Sequence, residues 1–114
     1  MKNQISDIAR LNHIVEAIDE IHNYIALCDY DEFIMNSMMR NATVRQLEII
    51  GEASGHLSEE FRTNNSDIDW DAITGMRNII VHEYFGINYD IVWNTIQSDL
   101  DGLYLKVNEI LSEK

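Results

Sequence analysis

Apolar residues recur every three or four positions along almost the whole chain, the spacing of helices that bury one face. Residues 5–27 form one such stripe, made of Ile8, Leu11, Val15, Ile18 and Ile25 and widened by Ile14 and Ile21. A second stripe follows Asn88, with alternating spacings of four and three: Val92, Ile96, Leu100, Leu103, Val107 and Ile110. We expect the first and last helices to pair as antiparallel neighbours. His22 falls on the first stripe, where an interface histidine is expected rather than a ligand.

The middle of the chain contains three further patterns. YDEFIMNSMMR predicts a short helix with its larger apolar side chains inward: Phe33, Ile34, Met38 and Met39. Residues 41–58 predict a long helix, and the small residues of its IIGEASG run let another helix approach closely. FRTNNSDID predicts a loop, after which Asp69 or Ser66 caps a helix that runs from Trp70 to about Tyr84–Gly86.

Together these patterns predict an all-α, up-and-down bundle of four long helices plus a short one. The chain contains no proline and five glycines, and no linker or repeat divides it, so we expect one domain spanning residues 1–114. The N-terminus lacks the apolar segment of a signal peptide, and no apolar run is long enough to cross a bilayer. A single cysteine, Cys28, excludes an internal disulfide and fits a cytoplasmic protein, in which this residue fills space rather than acting as a nucleophile.

The formal net charge of −12 means that the overall field of the protein does not attract nucleic acid. Any chemistry on nucleic acid must therefore depend on a local basic site or on a partner. Solubility alone is a sufficient explanation of the acidic balance.

The segment GMRNIIVHEYFG, residues 75–86, places Arg77, His82 and Tyr84 in an otherwise apolar run. A histidine can exchange a proton near neutral pH, a guanidinium can hold a phosphate through two hydrogen bonds, and a phenol can bond a phosphate oxygen. Asn78 could add a donor to the same phosphate. The set is suited to phosphoryl transfer without a metal. In an ideal helix Arg77 and Tyr84 share a face and His82 does not, so convergence requires a helix end, a distortion or a second subunit.

Two other interpretations of this segment remain open. Arg77 could pair with an acid such as Glu52, and His82 could cap carbonyl groups at a helix end. A metal site is the weaker alternative, because Glu83 beside His82 and the Glu48–Glu52 pair lack the further His or Cys ligands of known sites.

The residues RNIIVHEY resemble the arginine, four residues, histidine, one residue, tyrosine signature of HepT-like toxins, a branch of the HEPN superfamily. IIGEA at 49–53 is similar to the second signature of that family. DWDAITGMRN before the motif and YFGINYDIVWNTI after it are similar as well, so the resemblance covers roughly residues 5–111.

The resemblance implies a HEPN-like homodimer that acts as a metal-independent endoribonuclease, with no cofactor and with the motif residues of two subunits facing each other. His82 would act as general base or acid at an RNA 2′-hydroxyl, and Arg77 would stabilise the phosphate in the transition state. Asn78 and Tyr84 would contact substrate. The products would be a 2′,3′-cyclic phosphate and a 5′-hydroxyl. Arg40 and Arg45 are candidates to extend the basic patch, with pairing to acids such as Glu48 as the alternative.

The same resemblance implies a toxin of a type VII-like toxin–antitoxin system. Its partner would be a small nucleotidyltransferase antitoxin of the MntA type, which transfers AMP from ATP to the motif tyrosine, here Tyr84. A competing hypothesis is a non-catalytic HEPN-like module that binds a nucleotide or the nucleotidyltransferase. A third is a helical dimer without chemistry.

Overall fold

The structure is a computed structural model that describes the backbone of residues 2–82 and 88–113, and the side chains of residues 7–76 and 88–113. Within these ranges the chain forms seven helices and no β-strand. Their bounds are α1 (Lys2–Ile25), α2 (Tyr30–Met35), α3 (Ser37–Gly55), α4 (Glu59–Asn64), α5 (Trp70–His82), α6 (Tyr89–Ser98) and α7 (Leu100–Ser112). The all-α class predicted from periodicity is confirmed. None of the helices in this part of the chain is both long and apolar enough to cross a membrane.

The core is built around α3, which packs against α1 on one side and α5 on another. The stripe of α1 supplies much of this core, because four of its residues are fully excluded from solvent: Leu11, Ile14, Ile18 and Ile21. Burying side chains of this size contributes about 1.5–3 kcal/mol each. The periodic pattern of α1 therefore accounts directly for its place beneath α3 and α7.

Helices α1 and α7 pair antiparallel, as the sequence predicts. The hydroxyl of Tyr104 donates to Asp19 at 2.7 Å, and Nε2 of His22 lies 3.1 Å from Oδ1 of Asp101. The His22 and Tyr104 rings also meet edge to face, with centroids 5.6 Å apart. His22 is thus an interface histidine with a partner, which confirms that prediction.

The segment YDEFIMNSMMR does not form one short helix. Asn36 takes an extended conformation (φ −107°, ψ 96°), ends α2 and caps α3 by accepting from the backbone N–H of Met39. This single residue changes the direction in which the following side chains point. Phe33 is fully buried and Met39 packs against the core, but Met38 is 82% exposed. The expectation that Met38 faces inward is therefore wrong.

The predicted loop FRTNNSDID is in part helical, because α4 covers residues up to Asn64. Ser58 caps this helix by accepting from the N–H of Phe61 at 3.1 Å. Phe61 is buried against Trp70, with ring centroids 5.8 Å apart. A capped turn that buries an aromatic ring is favoured over an open loop.

The predicted last helix is interrupted once, at Asp99, which separates α6 from α7. Asp99 keeps right-handed helical angles, and its N–H still bonds the carbonyl of Thr95 at 2.9 Å. The interruption therefore leaves the register intact. The stripe expected from the sequence is buried on both sides of it: Val92, Ile96, Leu100, Leu103 and Val107.

Candidate functional site

Helix α5 carries the backbone of three predicted site residues: Arg77, Asn78 and His82. Their side chains lie outside the described part of the structure, and Tyr84 lies outside the described residues altogether. His82 follows Arg77 by five positions, which places the two residues about 140° apart around the helix axis. Two positions so separated do not share a face of α5.

The start of α5 is fixed by a side-chain cap, which the sequence predicts at Asp69 or Ser66, and by a contact of Trp70. The carboxylate of Asp69 accepts from the N–H of Ala72 at 3.1 Å, so Asp69 rather than Ser66 is the cap. Trp70 is 5% exposed, and its indole N–H donates to the carbonyl of Asn65 at 3.0 Å. These contacts anchor the first turn of the helix that carries the motif.

Helix α5 packs closely along α3 through the IIGEASG run. Gly51, Ala53 and Ser54 are buried, and a Cβ at Gly55 would lie 3.5 Å from Cγ2 of Thr74. Helix α3 ends at Gly55, and Thr74 in the first half of α5 lies beside that end. Since α3 and α5 pack against each other over much of their length, the two helices are antiparallel. Three small residues of the run are buried, in agreement with the tight packing that the sequence predicts there.

Counting back from the Gly55–Thr74 contact in antiparallel register places the backbone of Arg77 level with about Glu52 on α3. The IIGEA segment and residues 77–82 of the second signature therefore lie on adjacent, packed helices. Glu52 also lies 3.2 Å from Nε2 of His56.

A groove of about 350 Å³ opens between α1 and α3. Its lining combines three groups that can carry positive charge with two carboxylates and two apolar residues: Arg10, His13, Arg45, Glu48, Glu52, Ile49 and Ala53. The groove includes Glu52, so it reaches the level of Arg77 along α3.

The structure gives different environments to Arg40 and Arg45, the two arginines that the sequence suggests as extensions of the basic patch. Arg40 is engaged elsewhere: its guanidinium donates to the carbonyl of Ile34 and lies 5.0 Å from the ring centroid of Tyr89. It therefore joins α2, α3 and α6. Arg45 lines the groove, and no ion pair joins it to Glu48 in the described structure.

Sequence reasoning missed Arg10 and His13. They lie on α1, more than thirty positions before Arg45, so no local spacing connects them to it. The available signal was weak: a cation and an imidazole three residues apart on the polar side of an otherwise well-defined apolar stripe.

Cys28 has the character of a packing residue, as predicted. Its Sγ donates to the carbonyl of Asp29 at 3.3 Å and lies 3.5 Å from Sδ of Met39. Burial raises the pKa of the thiol, and the nearby carboxylates of Glu32 and Asp29 raise it further. The thiolate needed for nucleophilic attack is therefore disfavoured.

Comparison with known proteins identifies the family. A family model described as ribonuclease HepT-like matches residues 14–110. The protein named "Putative RNase TTE0752" from Caldanaerobacter subterraneus subsp. tengcongensis is 38% identical over 104 residues, which are 91% of this chain and 93% of that protein. "Putative RNase MJ1380" from Methanocaldococcus jannaschii is 40% identical over 92 residues, 81% of this chain and 84% of that protein.

A third relative, "Probable ribonuclease HepT" from Thermococcus cleftensis, is 31% identical over 100 residues, which cover 88% of this chain and 91% of that protein. No solved structure is significantly similar to the chain. The family match spans both signature segments and all the helices from α2 to α6. On this match and on the identity to three relatives along most of their length, the chain belongs to the HepT-like ribonuclease family.

Proposed function

We propose that this protein is a metal-independent endoribonuclease that acts as the toxin of a toxin–antitoxin pair. The observation that carries the proposal is that IIGEA and residues 77–82 of the second signature lie on α3 and α5, two helices that pack against each other within the matched region. The relatives carry ribonuclease names, which agrees with RNA as the substrate.

In the proposed reaction, the RNA 2′-oxygen attacks the adjacent phosphorus and loses its proton to a base. The bond from phosphorus to the 5′-oxygen breaks, and that oxygen takes up a proton as it leaves. His82 serves as the base or as the acid, and Arg77 stabilises the charge that builds on the phosphate oxygens. Asn78 donates a hydrogen bond to the same phosphate. The products are a 2′,3′-cyclic phosphate and a 5′-hydroxyl.

We place the complete site between two subunits of a homodimer. Within α5 the Arg77 and His82 positions are about 140° apart, so one helix does not present both to one phosphate. A two-fold axis close to α5 brings the arginine of one subunit towards the histidine of its partner.

Neutralisation would act on Tyr84. In the proposed step the phenol oxygen of Tyr84 attacks the α-phosphorus of ATP, pyrophosphate leaves, and the phenol proton is released. A nucleotidyltransferase partner supplies this activity. The AMP group adds bulk and negative charge two residues from His82, where it excludes the RNA phosphate.

The first test is cleavage of single-stranded RNA with chelator present, with the product ends identified. His82→Ala and Arg77→Ala are expected to lower cleavage by about a hundredfold or more, the usual scale of acid–base and charge-stabilising groups. Arg62→Ala, which removes a cation from α4, away from both signature helices, serves as the control. Full cleavage by a folded His82→Ala protein would remove the proposed mechanism.

The second test is the intact mass of the protein after co-expression with a cognate nucleotidyltransferase. Wild type is expected to gain one or more AMP units and Tyr84→Phe none. A stable complex without any mass change, together with absence of RNA cleavage, would favour a non-catalytic module that binds the nucleotidyltransferase.

A further inference from the structure

The groove between α1 and α3 contains an unusual arrangement of charge for so acidic a chain. Arg10 comes from α1 and Arg45 from α3, and each lines the same space. Neither forms an ion pair or a hydrogen bond with another residue in the described ranges. Arg40 and Lys106 differ, because Arg40 is held by Ile34 and Tyr89, and Lys106 lies 3.3 Å from Asp67.

The local charge balance of the groove departs from that of the whole molecule. The two arginines offset Glu48 and Glu52, so the groove is formally neutral in a chain whose net charge is −12. Glu52 is also placed 3.2 Å from Nε2 of His56, which partly neutralises it when that histidine is protonated. A polyanion therefore meets less repulsion in this groove than over the acidic surface around it.

The chemistry of the lining fits a nucleotide backbone. Two guanidinium groups with free donors can each hold a phosphate through paired hydrogen bonds. The exposed imidazole of His13 lies one helical turn from Arg10 and can stack on a base or bond a ribose hydroxyl. Ile49 and Ala53 add an apolar floor, against which the flat face of a base can rest.

The position of the groove connects it to the motif. Along α3 it extends from Arg45 to Glu52, about 10 Å at the rise of an α-helix. Its Glu52 end is level with the backbone of Arg77 on α5. A single strand of RNA bound in the groove would therefore emerge next to α5, the helix that carries the catalytic motif.

We propose that the Arg10–His13–Arg45 groove is a binding subsite for the backbone of single-stranded RNA that flanks the cleaved phosphate. The inference rests on the proposed ribonuclease function and extends it from the motif to a second, non-catalytic contact. It explains how a chain with a net charge of −12 can retain RNA: affinity comes from a small set of unpaired arginines.

The test measures binding of 2′-fluoro RNA about ten nucleotides long, which lacks the attacking hydroxyl and spans the site size of a short groove. Arg10→Gln and Arg45→Gln are each expected to weaken binding about tenfold, as for loss of a charged hydrogen bond. Each is also expected to lower the slope of log Kd against log salt by about 0.7, the contribution of one phosphate contact in a single strand. Glu48→Gln, which removes a carboxylate from the same groove, is expected to tighten binding.

Arg62→Gln is the matched control, because it makes the same charge change on α4, outside the groove, and it is expected to bind as wild type. Helical content by circular dichroism verifies that each variant is folded. Wild-type affinity and salt slope in folded Arg10→Gln and Arg45→Gln would overturn the subsite. The subsite would also be overturned if Arg10→Gln and Arg45→Gln changed the oligomeric state and left RNA affinity unchanged, because the groove would then be a subunit interface.

Failure of the subsite and failure of the proposed function give different results. Cleavage of ordinary RNA by wild type, with binding independent of Arg10 and Arg45, removes the subsite and keeps the nuclease. Arginine-dependent binding of 2′-fluoro RNA without any cleavage of ordinary RNA keeps the subsite and removes the nuclease. Absence of both binding and cleavage overturns both.

Discussion

Thr43 is fully buried on α3, and its hydroxyl has no hydrogen-bond partner in the described part of the chain. A buried hydroxyl without a partner costs about 1–3 kcal/mol of desolvation. Valine has nearly the same shape without the polar atom, so Thr43→Val is expected to raise the free energy of unfolding by about 1 kcal/mol. The midpoint of thermal unfolding would rise by about 4 °C.

Thermal unfolding followed by circular dichroism measures this effect. Thr63→Val on α4 is the matched control, since Thr63 is exposed and its substitution is expected to change stability by less than about 0.5 kcal/mol. A lower midpoint for Thr43→Val would mean that the hydroxyl makes a stabilising hydrogen bond in solution.

Asp7 shows the opposite case, a buried polar group whose partners are present. It is 7% exposed on α1, and its carboxylate accepts from the N–H of Ser58 at 2.8 Å and from the hydroxyl of Ser58 at 2.6 Å. Ser58 in turn caps α4, so the pair attaches α4 to α1.

Asp7→Ala leaves these two donors without their acceptor, and is expected to lower the free energy of unfolding by about 2 kcal/mol. Urea unfolding measures the loss. Glu16→Ala, an exposed acid on the same helix, controls for helix propensity and net charge. Equal stability of the two variants would show that the Asp7–Ser58 contact contributes nothing net.

At the scale of elements, the α1–α7 pair has a contact that responds to pH. The hydrogen bond to Asp19 raises the pKa of the Tyr104 phenol above its usual value of 10.0, and desolvation adds to the shift. Because the folded-state pKa is the higher one, the contact stabilises the fold fully below pH 10.0 and loses its effect as pH rises through the folded-state pKa.

Tyr104→Phe is therefore expected to be less stable than wild type near neutral pH, with the difference shrinking as pH rises above 10. Unfolding in urea at a series of pH values measures the difference. In an Asp19→Asn background, which lacks the carboxylate, the pH dependence of the Tyr104→Phe effect should largely disappear. Persistence of the same dependence there would assign it to another group.

At the scale of the whole molecule, the proposed site requires two subunits. Mixing Arg77→Ala and His82→Ala proteins that are each inactive would produce mixed dimers in which one of the two sites has both residues intact. Half of the randomly formed dimers are mixed, so RNA cleavage is expected to recover to about a quarter of the wild-type level. The rate of RNA cleavage after the subunits have exchanged is the measurement.

Mixing each variant with itself serves as the control. No recovery, although subunit exchange is complete by native mass spectrometry, would mean that Arg77 and His82 act within one subunit. That result would be compatible with the ribonuclease proposal, but it would contradict a site shared between two subunits.

The sequence by itself determined the helical class, the buried stripes of α1, α6 and α7, and the cap of α6 at Asn88. It narrowed the cap of α5 to Asp69 or Ser66, and the structure selects Asp69. The sequence also determined the catalytic hypothesis, since the signature RNIIVHEY is contiguous. These features are local, because helix periodicity and capping depend on residues within about one or two turns. The apolar stripe of α6 and α7 stays in register across Asp99 because this residue keeps local helical geometry.

Only the tertiary structure decided which polar side chains meet. The approach of α2 and α6 engaged Arg40 with Ile34 and Tyr89. The packing of α1 on α3 brought Arg10 and His13 beside Arg45. No local pattern encodes such contacts, because they depend on the relative placement of whole helices, which the burial of their apolar faces sets.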